Sequence, residues 1–105
     1  IAPLVETEFN RCKSYIKYID YAALNLVPVC SDFTPYQDVI QSGTNGLLVK
    51  NDTQSWFQAL DRLIEDDTYR HRLSDNAYQD YLSHHTLNTQ IVNWIDAFNE
   101  LVRTE

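Results

Sequence analysis

The chain has 105 residues, of which 44% are hydrophobic, and carries a formal net charge of −7 from 15 acidic and 8 basic side chains. This length and apolar content suffice for one small domain, or part of a larger one, and argue against disorder. The negative charge disfavours non-specific nucleic-acid binding and docking on an anionic membrane, because both depend on lysine and arginine.

The first residues, Ile-Ala-Pro-Leu, are typical of the end of a strand, and the chain contains no Met. We therefore expect a C-terminal portion of a longer protein. Cys12 and Cys30 do not make a disulfide framework, which favours a cytoplasmic setting. No apolar run approaches the roughly 20 residues needed to span a bilayer.

Residues 10–24 predict a helix, with Asn10 as its N-cap. Asn25 suits the left-handed position that ends a helix, and Pro28 prevents continuation. Residues 26–30 form a short apolar run that predicts a buried parallel strand. Near-helical spacing gives the predicted helix one apolar face, made of Ile16, Ile19, Ala22, Ala23 and Leu26.

The start of this predicted helix has the residues of an anion site. Lys13, Ser14 and Lys17 fall on its first turns, where backbone N–H groups lack intrahelical partners, and Asp20 follows one turn later. Two simpler interpretations stay open. The lysines are solvated charges with Ser14 as an ordinary first-turn hydroxyl, or Asp20 pairs with Lys17 or Lys13 along the helix.

Further elements alternate along the chain. After a loop, residues 36–41 predict a short helix capped by Thr34, and residues 46–50 predict a second strand. Residues 51–53 offer N-caps for an amphipathic helix, and Asp67 or Thr68 caps another that ends near residue 82. A polar link at residues 83–86 precedes a terminal helix capped by Asn88 or Thr89. Its predicted apolar face consists of Ile91, Trp94, Ile95, Phe98, Leu101 and Val102.

This order predicts an α/β fold: a partial Rossmann-like domain with a short parallel sheet, helices and a helix-rich C-terminal half. A sheet this thin leaves an apolar edge, which predicts possible self-association. His84 and His85 are adjacent and cannot share a metal in the i, i+4 manner, so we expect no metal site.

One pattern resembles a known family. It reads Phe9-Asn10-x-x-Lys13-Ser14-x-x-Lys17-x-x-Asp20-Tyr21-Ala22-Ala23-Leu24-Asn25-x-x-Pro28-Val29-x-Ser31, then Pro35-Tyr36-x-x-x-Ile40-x-x-Gly43-x-Asn45-Gly46-Leu47-Leu48-Val49. This pattern and the helices after it, through about residue 82, resemble the second half of the C-terminal domain of GT-B glycosyltransferases. The group 1, or family 4, retaining enzymes are most similar.

The resemblance implies two Rossmann-like domains facing a cleft. Residues 1–105 would be the C-terminal portion of the nucleotide-sugar-binding domain, with residues 86–105 as a terminal helix. The parent protein would be a hexosyltransferase-like enzyme that moves a sugar from a nucleotide-diphosphate sugar to an acceptor hydroxyl in polysaccharide or glycan biosynthesis. It would need no metal or other cofactor, and would be cytoplasmic or peripheral to the inner face of the membrane.

In such enzymes a missing domain contacts the acceptor, a glycan or a lipid-linked sugar, and a basic Arg and Lys pair lies earlier in the chain. The resemblance therefore implies that this portion is inactive alone and holds no catalytic residue. The competing hypothesis is a non-enzymatic acidic α/β module that binds a protein partner through the Trp94 face.

The resemblance also assigns site residues. It places Lys13, Ser14 and Tyr15 beside the donor diphosphate, with Lys17 one turn on. Asp20 falls where the family has a glutamate that holds the ribose hydroxyls, and a shorter Asp offers the same acceptor oxygens. Cys12 falls on a second family glutamate that contacts the donor sugar. A thiol cannot replace that carboxylate, so this contact departs from the family pattern.

Overall fold

The computed structural model describes residues 1–103, and within them it has a small parallel sheet surrounded by helices. Strands β1 (Val29–Ser31) and β2 (Leu47–Val49) pair in parallel, with Val29 opposite Leu47. Ala2 adds an isolated parallel bridge to Cys30. The helices are α1 (Glu8–Arg11), α2 (Ile16–Ala23), α3 (Thr53–Glu65), α4 (Asp67–His84) and α5 (Leu87–Arg103), with a 3-10 turn at Tyr36–Asp38. The predicted α/β, partial Rossmann-like fold is confirmed.

The predicted helix from Asn10 to Leu24 is wrong at its beginning. Thr7, not Asn10, caps α1, because the Thr7 hydroxyl oxygen accepts the Asn10 amide at 3.1 Å. The Asn10 side chain instead donates to the backbone oxygen of Val5 at 2.7 Å. The chain leaves helical geometry after α1, and α2 begins only at Ile16. Asn25 has the predicted left-handed conformation, with φ of 58°.

The other boundaries differ from the predictions by a few residues. The predicted helix 36–41 is only a 3-10 turn, because the Gln41 amide donates to the Asn45 side-chain oxygen at 2.8 Å. Asp52 caps α3 as predicted. Asp66 rather than Asp67 caps α4, which continues through the first half of the predicted polar link and ends at His84.

The terminal helix begins earlier than expected. Helix α5 starts at Leu87, so neither Asn88 nor Thr89 is its cap, and the Thr86 hydroxyl oxygen accepts the Thr89 amide at 3.2 Å. The end of the predicted terminal helix 86–105 lies outside the described residues.

The core consists of two clusters on opposite faces of the sheet. In one, Tyr18 and Ala22 of α2 pack with Ala77 of α4 and with Cys30. In the other, α3 and α4 cover the sheet through Leu63 and Leu73. Helix α4 contributes to both clusters and thereby fixes α2 relative to the sheet.

The predicted apolar face of α2 is only partly buried. Ile16 is 53% exposed and Leu26 is 50% exposed, whereas Tyr18 is fully buried. Tyr18 tolerates burial because its hydroxyl donates to an Asp80 carboxylate oxygen and accepts from the Asn45 amide at 3.2 Å.

Helix α5 has no buried residue. Its large apolar side chains include Trp94, which is 63% exposed, and Phe98, which is 62% exposed. The rings of these two residues lie 6.3 Å apart. Among residues 1–103, no helix has both the length and the hydropathy needed to cross a membrane.

The outer edge of β2 is partly covered. The Leu48 amide donates to the Ser42 hydroxyl at 3.0 Å, which occupies an N–H group that another strand would need. Ala2 pairs with the opposite side of β1, and Pro3 beside it has no N–H group to donate. Self-association through a sheet edge stays a prediction.

Both cysteines are free, and they differ in environment. Cys30 is fully buried, and burial raises the pKa of its thiol from 9.0 to about 12. The pKa of this thiol is higher in the folded state than in the unfolded state, so the neutral Cys30 thiol contributes its full stabilisation below about pH 9. This stabilisation is lost as the pH rises to about 12, because the unfolded state then releases the proton more readily.

We expect the free energy of unfolding, measured by urea titration, to fall across this alkaline window by up to about 1.4 kcal/mol per pH unit. The Cys30→Ala variant lacks the buried thiol and should show a shallower decline, whatever its stability at neutral pH. An equally steep decline in the variant would contradict this origin.

Candidate functional site

A cavity of about 470 Å³ lies between residues 1–4 and the beginning of α2. Three of the predicted site residues line it: Lys13, Ser14 and Lys17. Lys13 and Ser14 precede α2 rather than lying on its first turns, and Lys17 is the second residue of the helix. The structure therefore brings both lysines and the hydroxyl to one concave surface, although the predicted helical geometry for Lys13 and Ser14 is wrong.

Four consecutive backbone N–H groups precede or begin α2. Those of Ser14, Tyr15, Ile16 and Lys17 have no hydrogen-bond acceptor within residues 1–103, whereas the Tyr18 amide bonds to the Tyr15 oxygen at 3.0 Å. Unpaired N–H groups at a helix N-terminus carry partial positive charge and favour an anion. Three of these four residues line the cavity.

The two lysines lack carboxylate partners. The ion pairs found among residues 1–103 involve neither Lys13 nor Lys17, and Asp20 forms none either. The interpretation of Asp20 as a simple ion-pair partner along the helix is therefore wrong. The positive charge at the cavity remains available to a ligand.

Tyr15 and Asp20 do not line this cavity. The Tyr15 side chain is half-buried against the core cluster that contains Tyr18 and Ala77, and its ring lies 6.0 Å from the ring of His85. Its side chain therefore packs toward α4 and is not part of the cavity wall. Asp20 is exposed on α2, one turn beyond Lys17. Cys12 is exposed, directly before Lys13, and presents a thiol rather than a carboxylate.

Several cavity residues were not predicted from the sequence as site residues. Tyr21 and Tyr36 form part of the wall together with residues 1–4. The Tyr21 hydroxyl donates to the Ile1 backbone oxygen at 2.8 Å, so it links α2 to the opposite wall. Burial raises the pKa of both Tyr21 and Tyr36 above the ordinary value of a phenol. The spacing of Lys17 and Tyr21, four residues apart on a helix, was the one sequence signal for this wall.

A closed set of hydrogen bonds fixes the wall formed by residues 1–4. The buried Ser31 hydroxyl accepts the Leu4 amide at 2.7 Å and donates to the Asn51 side-chain oxygen at 2.7 Å. The Asn51 amide nitrogen then donates to the Leu4 backbone oxygen, also at 2.7 Å. Because all three partners are satisfied, the cavity has a defined wall despite its position at the sheet edge.

A second polar cluster holds α2 against α4 on the core side. Asp80 accepts the Tyr18 hydroxyl, and His84 and His85 lie at 3.0 and 3.2 Å from its two oxygens. Within the described part of the chain, no group of three or more His, Cys, Asp or Glu side chains has an arrangement that could hold a metal ion. The cluster orients α2 and, with it, the unpaired amides at its start.

The comparisons with known proteins bear on this site. The family model described as "Glycosyl transferases group 1" matches residues 16–80, more than half of the chain. The match runs from the first residue of α2 through most of α4, so it includes Lys17 and Asp20 and begins just after Tyr15. No curated protein matches the chain. The resemblance inferred from the motif is confirmed.

Proposed function

Because this chain belongs to the group 1 glycosyl transferases, we propose that it holds the diphosphate of a nucleotide-sugar donor at the start of α2. The observation that carries this proposal is the convergence of Lys13, Ser14 and Lys17 on one cavity beside four unpaired amides. A diphosphate needs several donors and a compensating positive charge, and this surface offers both.

The charge of the surroundings strengthens the assignment. The chain as a whole has a net charge of −7, so a cavity with two lysines that have no carboxylate partner within the described residues is locally unlike the rest of the molecule. Phosphate oxygens would accept hydrogen bonds from these amides and ammonium groups. Charge-assisted hydrogen bonds of this kind are about twice as strong as neutral ones.

The proposed chemistry is transfer of a glycosyl group from the donor to an acceptor hydroxyl. As the bond to the sugar breaks, negative charge grows on the departing nucleoside diphosphate. Fixed amides and ammonium groups aimed at that charge stabilise the transition state more than the ground state. The acceptor, a glycan or lipid-linked sugar in polysaccharide or glycan biosynthesis, would bind to another domain, and no residue of this chain is assigned to acid or base catalysis.

We further propose that Asp20 accepts the ribose hydroxyls. It lies three residues after Lys17, about 4.5 Å further along the helix axis, and the ribose follows the phosphates at a similar spacing in a nucleotide. The exposed carboxylate has no ion-pair partner among residues 1–103 that it would have to leave.

A matched pair of ligands tests the role of Asp20. We expect the wild-type chain to bind UDP several-fold more tightly than 2′-deoxy-UDP, and the Asp20→Ala variant to bind the two equally, as measured by calorimetry. The preference would be lost because the variant has no acceptor for the 2′-hydroxyl. If the variant kept the full preference, Asp20 would not be the ribose contact.

Titration with UDP, GDP and ADP in parallel tests the donor site itself. We expect at least one nucleoside diphosphate to bind to the chain with an affinity in the micromolar to millimolar range, and to bind more tightly than its monophosphate. Added salt should weaken binding, since the lysines are exposed to solvent. No binding of any nucleotide at millimolar concentration would contradict the proposal.

The second candidate function is the acidic interaction module. It is favoured by α5, whose apolar side chains, Trp94 and Phe98 among them, are all exposed. The same titration distinguishes the two functions. An interaction module without a donor site should not bind a nucleoside diphosphate more tightly than the monophosphate.

A further inference from the structure

Phe9 is an exposed aromatic residue on a short helix that local contacts define. Its side chain is 77% exposed, and three contacts within residues 5–11 hold α1 in shape. The Thr7 hydroxyl caps it, Asn10 donates to the Val5 oxygen, and Arg11 pairs with Glu6 at 2.5 Å. A large apolar ring on so short and polar a helix contributes nothing to either core cluster.

The ring of Phe9 has one specific neighbour. The Lys13 ammonium nitrogen lies over it, 5.3 Å from the ring centroid, within the distance at which a cation is attracted by the ring face. Lys13 has no carboxylate partner among the ion pairs of residues 1–103. The ring therefore restricts the ammonium without neutralising its charge, which a carboxylate in the same place would do.

We propose that Phe9 is a positioning residue that holds the Lys13 ammonium beside the cavity at the start of α2, ready for the donor diphosphate. The inference rests on the proposed function and deepens it. A lysine side chain loses considerable rotamer freedom when it binds a phosphate. A ring that already confines the ammonium lowers that entropic cost in the bound state, so the benefit appears as affinity.

The structure separates this role from direct ligand contact. Lys13 lines the cavity, whereas Phe9 does not. An effect of Phe9 on ligand binding should therefore pass through Lys13 and vanish when the lysine is absent. A stacking contact between Phe9 and a base or sugar would instead persist without the lysine.

The first test needs no ligand. In the wild-type chain, the ring current of Phe9 should shift the NMR signals of the Lys13 side-chain methylene protons upfield relative to those of Lys50. Phe9→Leu should abolish the shift, and Phe9→Tyr, which keeps the ring face, should retain it. A Lys13 spectrum unchanged by Phe9→Leu would overturn the proposal.

The second test is a double-mutant cycle in nucleoside diphosphate binding, with the UDP, GDP or ADP that binds most tightly as the probe. Phe9→Leu should weaken binding about two- to fivefold, the range for an exposed cation–π contact, and Phe9→Tyr should restore it. In a Lys13→Ala background, Phe9→Leu should have no further effect. Phe57→Leu is the control, since Phe57 is 67% exposed on the distant α3.

The outcomes distinguish this inference from the donor site. If the wild type binds, Lys13→Ala weakens binding and Phe9→Leu does not, the positioning role is wrong and the proposed function stands. If Phe9→Leu has the same effect with and without Lys13, Phe9 contacts the ligand directly and the positioning role is again wrong. If no nucleotide binds to the wild type, the proposed function fails, and the Phe9 role in binding fails with it.

Discussion

Replacing Lys13 and Lys17 together by alanine is expected to lower the affinity for a nucleoside diphosphate about tenfold to a hundredfold, that is by about 1.4 to 2.7 kcal/mol. A hydrogen bond to a charged group contributes about 1.5 to 3 kcal/mol when it is shielded from solvent. Both lysines are exposed, so screening reduces the contribution of each to about half of that range. The unpaired amides remain in the variant, which is why some binding should persist.

Calorimetric titration at low salt measures this effect, and the change of net charge requires a control. The Lys50→Ala, Arg103→Ala double variant also removes two positive charges, from residues that do not line the cavity. We expect its affinity to stay within about twofold of the wild type, because only screened long-range attraction is lost. If the two double variants weakened binding equally, the lysines at the cavity would have no specific role.

Leu73→Ala is expected to have the largest effect on stability, a loss of about 2 to 5 kcal/mol in the free energy of unfolding. Leu73 is fully buried on α4, in the cluster that joins the helix to both strands and α3. Truncation there leaves a cavity that the sheet and two helices cannot close by a local shift. For a small domain, whose total stability is about 5 to 15 kcal/mol, this is a large share.

Urea unfolding followed by circular dichroism provides the measurement, with the m-value as a check on two-state behaviour. Leu82→Ala is the matched control, because it makes the same substitution on the same helix at a side chain that is 42% exposed. It should cost about 1 kcal/mol or less. Equal losses for the two variants would show that α4 does not pack as described.

The sequence predicted the helices whose signals are local. Asp52 followed by an amphipathic repeat placed α3, and the apolar face of the terminal helix predicted α5. The break between α1 and α2 was not predictable in this way, because Asn10 is as good an N-cap by type as Thr7. Asn10 is not the cap because its side chain donates to the Val5 backbone oxygen instead. That contact depends on the conformation of the loop before α1.

The buried side chains of α2 were also only partly predictable from the sequence. Ile16 fits the predicted apolar face by its spacing, whereas Tyr18 does not. A buried tyrosine also requires a hydrogen-bond partner for its hydroxyl. Its partners, Asp80 and Asn45, lie 62 and 27 residues away in the sequence. Only the packing of α4 against α2 brings them together, so periodicity placed Ala22 correctly in the core but did not place Tyr18 there.

Some residues of the candidate site were predictable from the local sequence, and others depend on the tertiary structure. Lys13, Ser14 and Lys17 were predicted because adjacent residues at a helix start carry their own chemistry. Tyr21 and Tyr36 were missed because their place in the wall depends on residues 1–4 lying opposite α2 across the cavity. The role of Asp20 came from the family pattern alone and stays a prediction.

The central claim is that a donor diphosphate binds to the start of α2. The most direct test is an NMR titration of the isotope-labelled chain with the nucleoside diphosphates, in which every backbone amide reports separately. We predict the largest shifts at the amides of Ser14, Tyr15, Ile16 and Lys17, with smaller ones reaching Asp20. Shifts concentrated on α4 or α5, or no shift at millimolar nucleotide, would contradict the account.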